Sequence, residues 1–228
     1  MLNTSDRYGD YLLIDRQEAL IASLRAQPLV VVLRPEYDDL EASSHRSALF
    51  TMLEQLHVAG VRHVELAWSP HPCWMSFMRQ VQDCFADFCL GAASVSSPEA
   101  LHAASELGLA YAMTPCWDPA LDEQARQMQQ VLIPGLFSPT EIQQACRCGC
   151  RLVKLFPASV LGIDYLRQLA GPMDYLPFVI AAGGLTVSDL NPWLDAGYDA
   201  IALGRGLVQQ GQLDPALQSY LKTSTSTD

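Results

Sequence analysis

The chain has 228 residues, half of them apolar and 17% charged, so it can fill a sizeable core and is neither disordered nor fibrous. Its 14 basic and 25 acidic residues leave a formal charge of −11, a field that repels nucleic-acid backbones and acidic membrane surfaces. No segment approaches the ~20 uninterrupted apolar residues of a bilayer span. The first thirty residues carry Asp6, Arg7, Asp10, Asp15, Arg16, Glu18 and Arg25, unlike the uncharged core of a secretory signal. The sequence therefore predicts a soluble, cytoplasmic protein with neither nucleic-acid nor membrane partners.

Seven cysteines, an odd number, suit a reducing compartment better than a disulfide framework. The run Cys146-Arg147-Cys148-Gly149-Cys150 has spacing poor for one tetrahedral metal, and no paired His/Cys motif stands elsewhere, so these read as buried or half-buried helix-end thiols.

In chain order, residues before Leu29 place Ile14, Ala19, Leu20, Ile21 and Leu24 at helical spacing, an extra helix (1–28) capping the rest of the domain. Short β-rich apolar runs then recur at Leu29–Arg34, His63–Trp68, Phe88–Ser94, Tyr111–Pro115, Val131–Gly135, Leu152–Pro157, Phe178–Gly184 and Ala200–Arg205. Each is followed by helical signals. Gly60 closes the run Leu49, Met52, Leu53, Leu56 and Val58, and Ser97-Pro98 and Ser138-Pro139 each pair a cap with proline at the first helical position. Several runs are apolar on consecutive positions, as strands covered on both faces should be. Eight strand–helix units over 29–222 predict a single α/β domain, a closed (β/α)8 TIM barrel with an extra N-terminal helix and a frayed tail at 223–228. No GxGxxG follows an early strand and no GxxxxGK[ST] is present, so dinucleotide and nucleotide folds lose their usual signals.

In such barrels the working residues lie at the C-terminal ends of strands. That rule selects Arg34, Glu65, Ser94, Thr114, Lys154, Gly183, Gly184, Gly204, Arg205 and Gly206. The chain has two lysines, and Lys154 sits inside the apolar run Leu152–Pro157, where an ammonium is expensive to keep. Desolvation lowers a lysine's pKa and frees the amine for attack on a carbonyl; snorkelling or structural pairing with a carboxylate is the plainer reading. Glu65, likewise flanked by apolar residues, is either an ion-pair partner or a carboxylate that moves protons for an imine. Gly183-Gly184 and Gly204-Arg205-Gly206 follow the last two strands, where barrels often hold phosphate. Arg34 suits a substrate carboxylate, and Arg205 suits that phosphate or a surface salt bridge. His63 reads as a strand-start residue near the barrel bottom. His71, between Pro70 and Pro72, is a weaker candidate for substrate contact. No HxH, HExxH or carboxylate cluster supports a catalytic metal.

Val64-Glu65-Leu66, Gly91-Ala92-Ala93-Ser94-Val95, Lys154-Leu155-Phe156-Pro157-Ala158-Ser159 and Ala182-Gly183-Gly184 together resemble the class I 2-keto-3-deoxy-6-phosphogluconate / 4-hydroxy-2-oxoglutarate aldolase family over roughly Leu29 to Leu217. Leu33-Arg34, the Phe-Pro-Ala-Ser motif and Asp189–Gly197 are similar to its 6-phosphogalactonate branch. The resemblance implies a homotrimeric barrel lyase without metal or organic cofactor. It would split a 2-keto-3-deoxy-6-phospho sugar acid into pyruvate and glyceraldehyde 3-phosphate, with 4-hydroxy-2-oxoglutarate a further substrate. It makes Lys154 the imine-forming residue and Glu65 the proton shuttle. Arg34 and Ser94 face the carboxylate, Gly183, Gly184, Gly204, Arg205 and Gly206 hold the phosphate, and Thr114, Phe156 and Pro157 become substrate contacts.

Three positions depart from the family pattern: Ala93-Ser94 where Gly-Thr is usual, Ser69 where many members place an arginine, and Arg205 where a serine is common. They leave the chemistry intact and the choice of substrate open. The alternatives are a phosphosugar-converting barrel without imine chemistry, and a lapsed barrel that only binds its ligand.

Overall fold

The computed structural model describes residues 4–41, 47–209 and 212–224 of the chain. Each of the eight apolar runs holds a strand shorter than its apolar stretch, except that the fifth holds a pair whose second member passes its end by one residue: β1 (Leu29–Leu33), β2 (His63–Ala67), β3 (Cys89–Ala93), β4 (Tyr111–Met113), the pair β5 (Leu132–Ile133) and β6 (Gly135–Leu136), β7 (Leu152–Leu155), β8 (Phe178–Ala182) and β9 (Ala200–Leu203). All pair in parallel in the order β5-β4-β3-β2-β1-β9-β8-β7-β6. The fifth run is split at Pro134, which has no N–H for a ladder. Its first half pairs with β4 and its second with β7, so the two ends of the sheet are adjacent in sequence and the barrel is nearly closed. This is the expected α/β TIM barrel, with the fifth stave broken.

Between the strands run α2 (Tyr37–Glu41), α3 (Ala48–Val58), α4 (Trp74–Cys84), α5 (Pro98–Glu106), α6 (Pro119–Gln127), α7 (Pro139–Arg147), α8 (Ala158–Leu161), α9 (Tyr165–Ala170), α10 (Leu190–Asp195) and α11 (Pro215–Ser224). Ser97 caps α5 by accepting from Ala100 N, and Ser138 closes a capping box with Glu141 on α7, as their Ser-Pro sequences predict. Gly60, at φ +81°, follows α3. Because βαβ crossovers cover the outside of the sheet, the strands are buried on both faces, and β2 and β8 are buried at every position. One apolar layer, with Val64, Leu66, Val153 and Leu155, lies between strands and helices. A second, with Val30, Met113, Ile133, Leu152, Phe178, Ile180 and Ala200, fills the barrel.

The N-terminal helix α1 (Thr4–Ala26) places Leu13, Leu20, Ile21 and Leu24 in that inner layer, beneath the strands' N-terminal ends. It is tied there by Ser23 Oγ to His63 Nε2 at 2.8 Å, by Gln27 Oε1 accepting from Arg62 N at 2.7 Å and by Gln17 Oε1 accepting from Arg151 N at 2.9 Å. His63 Nδ1 donates to the Leu29 carbonyl at 3.2 Å, and burial pushes its pKa down to about 4, so it is a neutral member of the barrel floor. Cys146 lies in the last turn of α7, Cys148 caps that helix, and buried Cys150 donates to Asp122 Oδ1. Helix α11 extends through Ser224, two residues into the segment read as a frayed tail, and 225–228 lie outside the described residues.

Candidate active site

Side chains alternate along a strand, so with Val64, Leu66, Val153 and Leu155 facing the helices, Glu65 and Lys154 face the barrel interior. Glu65 is 1% exposed and Lys154 8%. Glu65 stands between Val32 of β1 and Gly91 of β3, and Lys154 between Gly135 of β6 and Ile180 of β8. Burial in this apolar interior pushes the Lys154 pKa down, partly opposed by the Glu65 charge and, more weakly, by Cys116. Burial likewise pushes Glu65 up, to about 8, against the pull of Lys154. They form no direct ion pair, and Glu65 Oε1 has no hydrogen-bond partner among the described residues. What results is a desolvated amine with a carboxyl group within electrostatic reach, each shifted by burial toward its neutral form. Lys154 Nζ lies 5.3 Å from the centroid of the Phe156 ring, which leaves the strand end 37% exposed at the barrel mouth.

The mouth gathers several other predicted residues. Arg34 Nη2 donates to Ser94 Oγ at 3.4 Å, joining two groups sixty positions apart. Arg34 is exposed and has no ion-pair partner among the described residues. Ser94 rather than Ala93 takes the left-handed backbone, at φ +59°. The Thr114 hydroxyl closes a local turn, donating to the Cys116 carbonyl and accepting from Cys116 N, so it shapes the loop after β4. Pro157 follows Phe156 through a cis peptide and is half-buried. Ser69 Oγ accepts from His71 N, and the His71 ring meets Tyr37 edge-on at 4.6 Å with Nε2 3.8 Å from Glu41.

Gly183 and Gly184 both have positive φ, +95° and +79°, which suits glycine and few other residues. A Cβ on Gly183 would meet Phe156 Cδ2 at 2.9 Å, and one on Gly184 would meet Ser159 Oγ. Their loop is joined to the next by a parallel bridge between Thr186 and Gly206. Thr186 then opens a 3-10 turn (Val187–Asp189), its amide donating to Asp189 Oδ2 at 2.8 Å. Arg205 is exposed and has no salt-bridge partner among the described residues. The reading from sequence missed Ser159, whose hydroxyl stands against Gly184, and Tyr111, whose buried hydroxyl has no partner among the described residues. Alternation puts Tyr111 on the same face as Met113 but carries no signal of what its hydroxyl meets.

A buried lysine and glutamate inside a parallel barrel narrow the chemistry, and comparison with known proteins fixes the family. The sequence profile described as KDPG and KHG aldolase matches residues 21–218. The chain belongs to the KDPG and KHG aldolase family. It is 30% identical to the 2-dehydro-3-deoxy-6-phosphogalactonate aldolase of Escherichia coli strain K12 over 186 residues, which is 81% of this chain and 86% of that protein. It is also 30% identical to the 2-dehydro-3-deoxy-phosphogluconate aldolase of Treponema pallidum over 140 residues, covering 61% of this chain and 66% of that one. The solved structure described as native KDPGal superimposes with a TM-score of 0.69 at 25% identity, covering 87% of this chain and 93% of that one. The protein is thus a class I aldolase, a carbon–carbon lyase, as its motifs predict. Among the described residues, no helix is long and apolar enough to cross a membrane.

Proposed function

We propose that this aldolase cleaves a 2-keto-3-deoxy-6-phospho sugar acid to pyruvate and glyceraldehyde 3-phosphate through an imine on Lys154. The observation that carries the reading is the Lys154 amine, buried in the barrel interior with Glu65 and pushed by that burial toward its neutral form. The neutral amine attacks the C2 carbonyl, and the carbinolamine loses water to give an iminium. Glu65, as carboxylate, takes the proton of the C4 hydroxyl, directly or through water. The C3–C4 pair flows into the iminium nitrogen, and the aldehyde leaves. The enamine regains a proton at C3, and hydrolysis releases pyruvate and the amine. Arg34 and Ser94 bind the carboxylate end, and Phe156, Pro157 and the Thr114 turn wall the site. The loops of Gly183-Gly184 and Gly204-Arg205-Gly206 hold the phosphate, supplying positive and N–H groups that offset the chain's net charge.

Similarity to the phosphogalactonate enzyme over four fifths of the chain supports the galactonate-derived acid as first substrate, the gluconate epimer second and 4-hydroxy-2-oxoglutarate third. The functional unit is proposed as a homotrimer, which sedimentation will test. Pyruvate with borohydride should leave a reduced adduct on the peptide containing Lys154 and none in Lys154→Ala. Saturating pyruvate without an adduct refutes the mechanism. Turnover of the two C4 epimers, each with and without phosphate, ranks the substrates.

A further inference from the structure

The barrel interior holds a further buried polar group beside Glu65, which the imine chemistry leaves unused. Tyr111 opens β4 and is 1% exposed. In register it lies beside Gly91, and Gly91 lies beside Glu65. A Cβ on Gly91 would meet Tyr111 Cε2 at 2.6 Å and Cζ at 2.7 Å. The hydroxyl-bearing end of the ring therefore fills the space that glycine leaves open, on the flank of the carboxylate. Among the described residues, two buried side-chain oxygen or nitrogen atoms have no hydrogen-bond partner in the protein, and they are the Tyr111 hydroxyl and Glu65 Oε1. Folded proteins seldom leave such atoms unpaired. These two are complementary, since a neutral phenol has one proton to donate and a carboxylate only accepts.

We propose that Tyr111 is a positioning residue for Glu65: its hydroxyl donates across one internal water to Oε1, orienting the carboxylate and stabilising its charged form. The inference rests on the reading of Glu65 as the proton shuttle. The other titratable groups around the pair are accounted for. Lys154 faces it from β7. Cys89, one inward position below Gly91 on β3, is pushed up to about 11 by burial and keeps its proton. His63, below Glu65 on β2, is neutral and bonded at both ring nitrogens. Burial and the Glu65 charge push the Tyr111 phenol upward, so it remains a donor throughout the working pH range.

Tyr111→Phe removes one oxygen and keeps the ring over Gly91. The test follows exchange of the methyl hydrogens of pyruvate for deuterium by proton NMR as a function of pH. It needs only pyruvate, and each enamine formed removes a proton from C3. At saturating pyruvate Lys154 is already the imine, so the acid limb reports the carboxylate. In Tyr111→Phe that limb should move up by about one pH unit, lowering exchange on it about tenfold, while borohydride capture at Lys154 does not fall. A ring-fluorinated tyrosine at 111, a stronger donor of nearly the same shape, should move the limb down and serves if the phenylalanine variant does not fold. A limb unmoved in either folded variant overturns the proposal and leaves the role of Glu65 standing. Undiminished exchange in Glu65→Gln instead removes the shuttle reading, and the proposal with it.

Discussion

Glu65→Gln separates imine formation from proton transfer. Glutamine has the shape of glutamate, so the contacts with Val32 and Gly91 persist in a pocket where the native side chain is 1% exposed. Two opposed effects act on Lys154 here, burial lowering its pKa and nearby negative charge raising it, from Glu65 and more weakly from Cys116. The substitution keeps the first and removes the main part of the second, so the amine becomes still less basic. Imine capture by borohydride should therefore survive, with its acid limb displaced to lower pH. Turnover loses its general acid–base, which is worth roughly 10²–10⁴-fold, or about 3–5 kcal/mol of activation free energy. The assay pairs a coupled measurement of pyruvate release with mass spectrometry of the trapped peptide over the same pH series. Turnover within threefold of the parent would refute the shuttle role. Capture that weakens in step with turnover, or whose acid limb rises, would refute the electrostatic account of Lys154.

Gly91→Ala drives a methyl group into Tyr111, where Cε2 would lie 2.6 Å away. Overpacking of this kind costs about 1–3 kcal/mol, roughly 2–10 °C in Tm for a domain of this size. The loss should shrink in a Tyr111→Leu background, and an unchanged Tm in the single variant contradicts the packing. Ser94→Gly relieves a left-handed backbone at φ +59° but removes the hydroxyl that accepts from Arg34. Calorimetry should show a gain of about 0.5 kcal/mol, after glycine's own entropy loss is deducted. KM should rise as Arg34 loses its partner, and an unchanged KM removes Ser94 from the carboxylate site.

Much of the barrel is legible because strands buried on both faces lack alternation, so unbroken apolar runs such as Phe178–Ala182 announce parallel pairing. Lys154 is legible for the same reason, as a cation in a run that otherwise excludes charge. Strand ends are not. A strand stops where its ladder stops, and apolarity continues past Ala182 and Leu155 into turns that carry the mouth residues Gly183, Gly184, Phe156 and Pro157. The break in the fifth stave depends on which neighbour each half of the run meets, although Pro134 marks the place. Arg34 and Ser94 meet only because β1 and β3 flank β2. Tyr111 was hidden by its own chemistry, since tyrosine in a strand reads as an aromatic filler until the neighbours of its hydroxyl are known.

The buried pair also explains how the fold tolerates two ionisable groups in its interior. Between the ordinary carboxylate and lysine ranges, the unfolded chain holds one proton on these two groups, on the lysine. Folding raises Glu65 and lowers Lys154. Whether the folded pair is ammonium with carboxylate or amine with carboxylic acid, it again holds one proton. Near neutral pH, unfolding exchanges no proton with this pair, and its contribution to stability is flat. Each single substitution exposes one half of that balance. In Lys154→Met, Glu65 loses its opposing cation and stays high, so the folded chain keeps a proton that the unfolded chain releases. Stability then falls as pH rises from the ordinary carboxylate value through the raised one. In Glu65→Gln, Lys154 is lower still, and the unfolded chain binds a proton that the folded chain refuses. Stability then rises with pH until the ordinary lysine value is reached. Tm measured from mildly acid to mildly alkaline pH should therefore slope downward for Lys154→Met and upward for Glu65→Gln, each relative to the parent chain. Parallel slopes would mean that the two groups do not share a proton and that the amine is held charged by something other than Glu65.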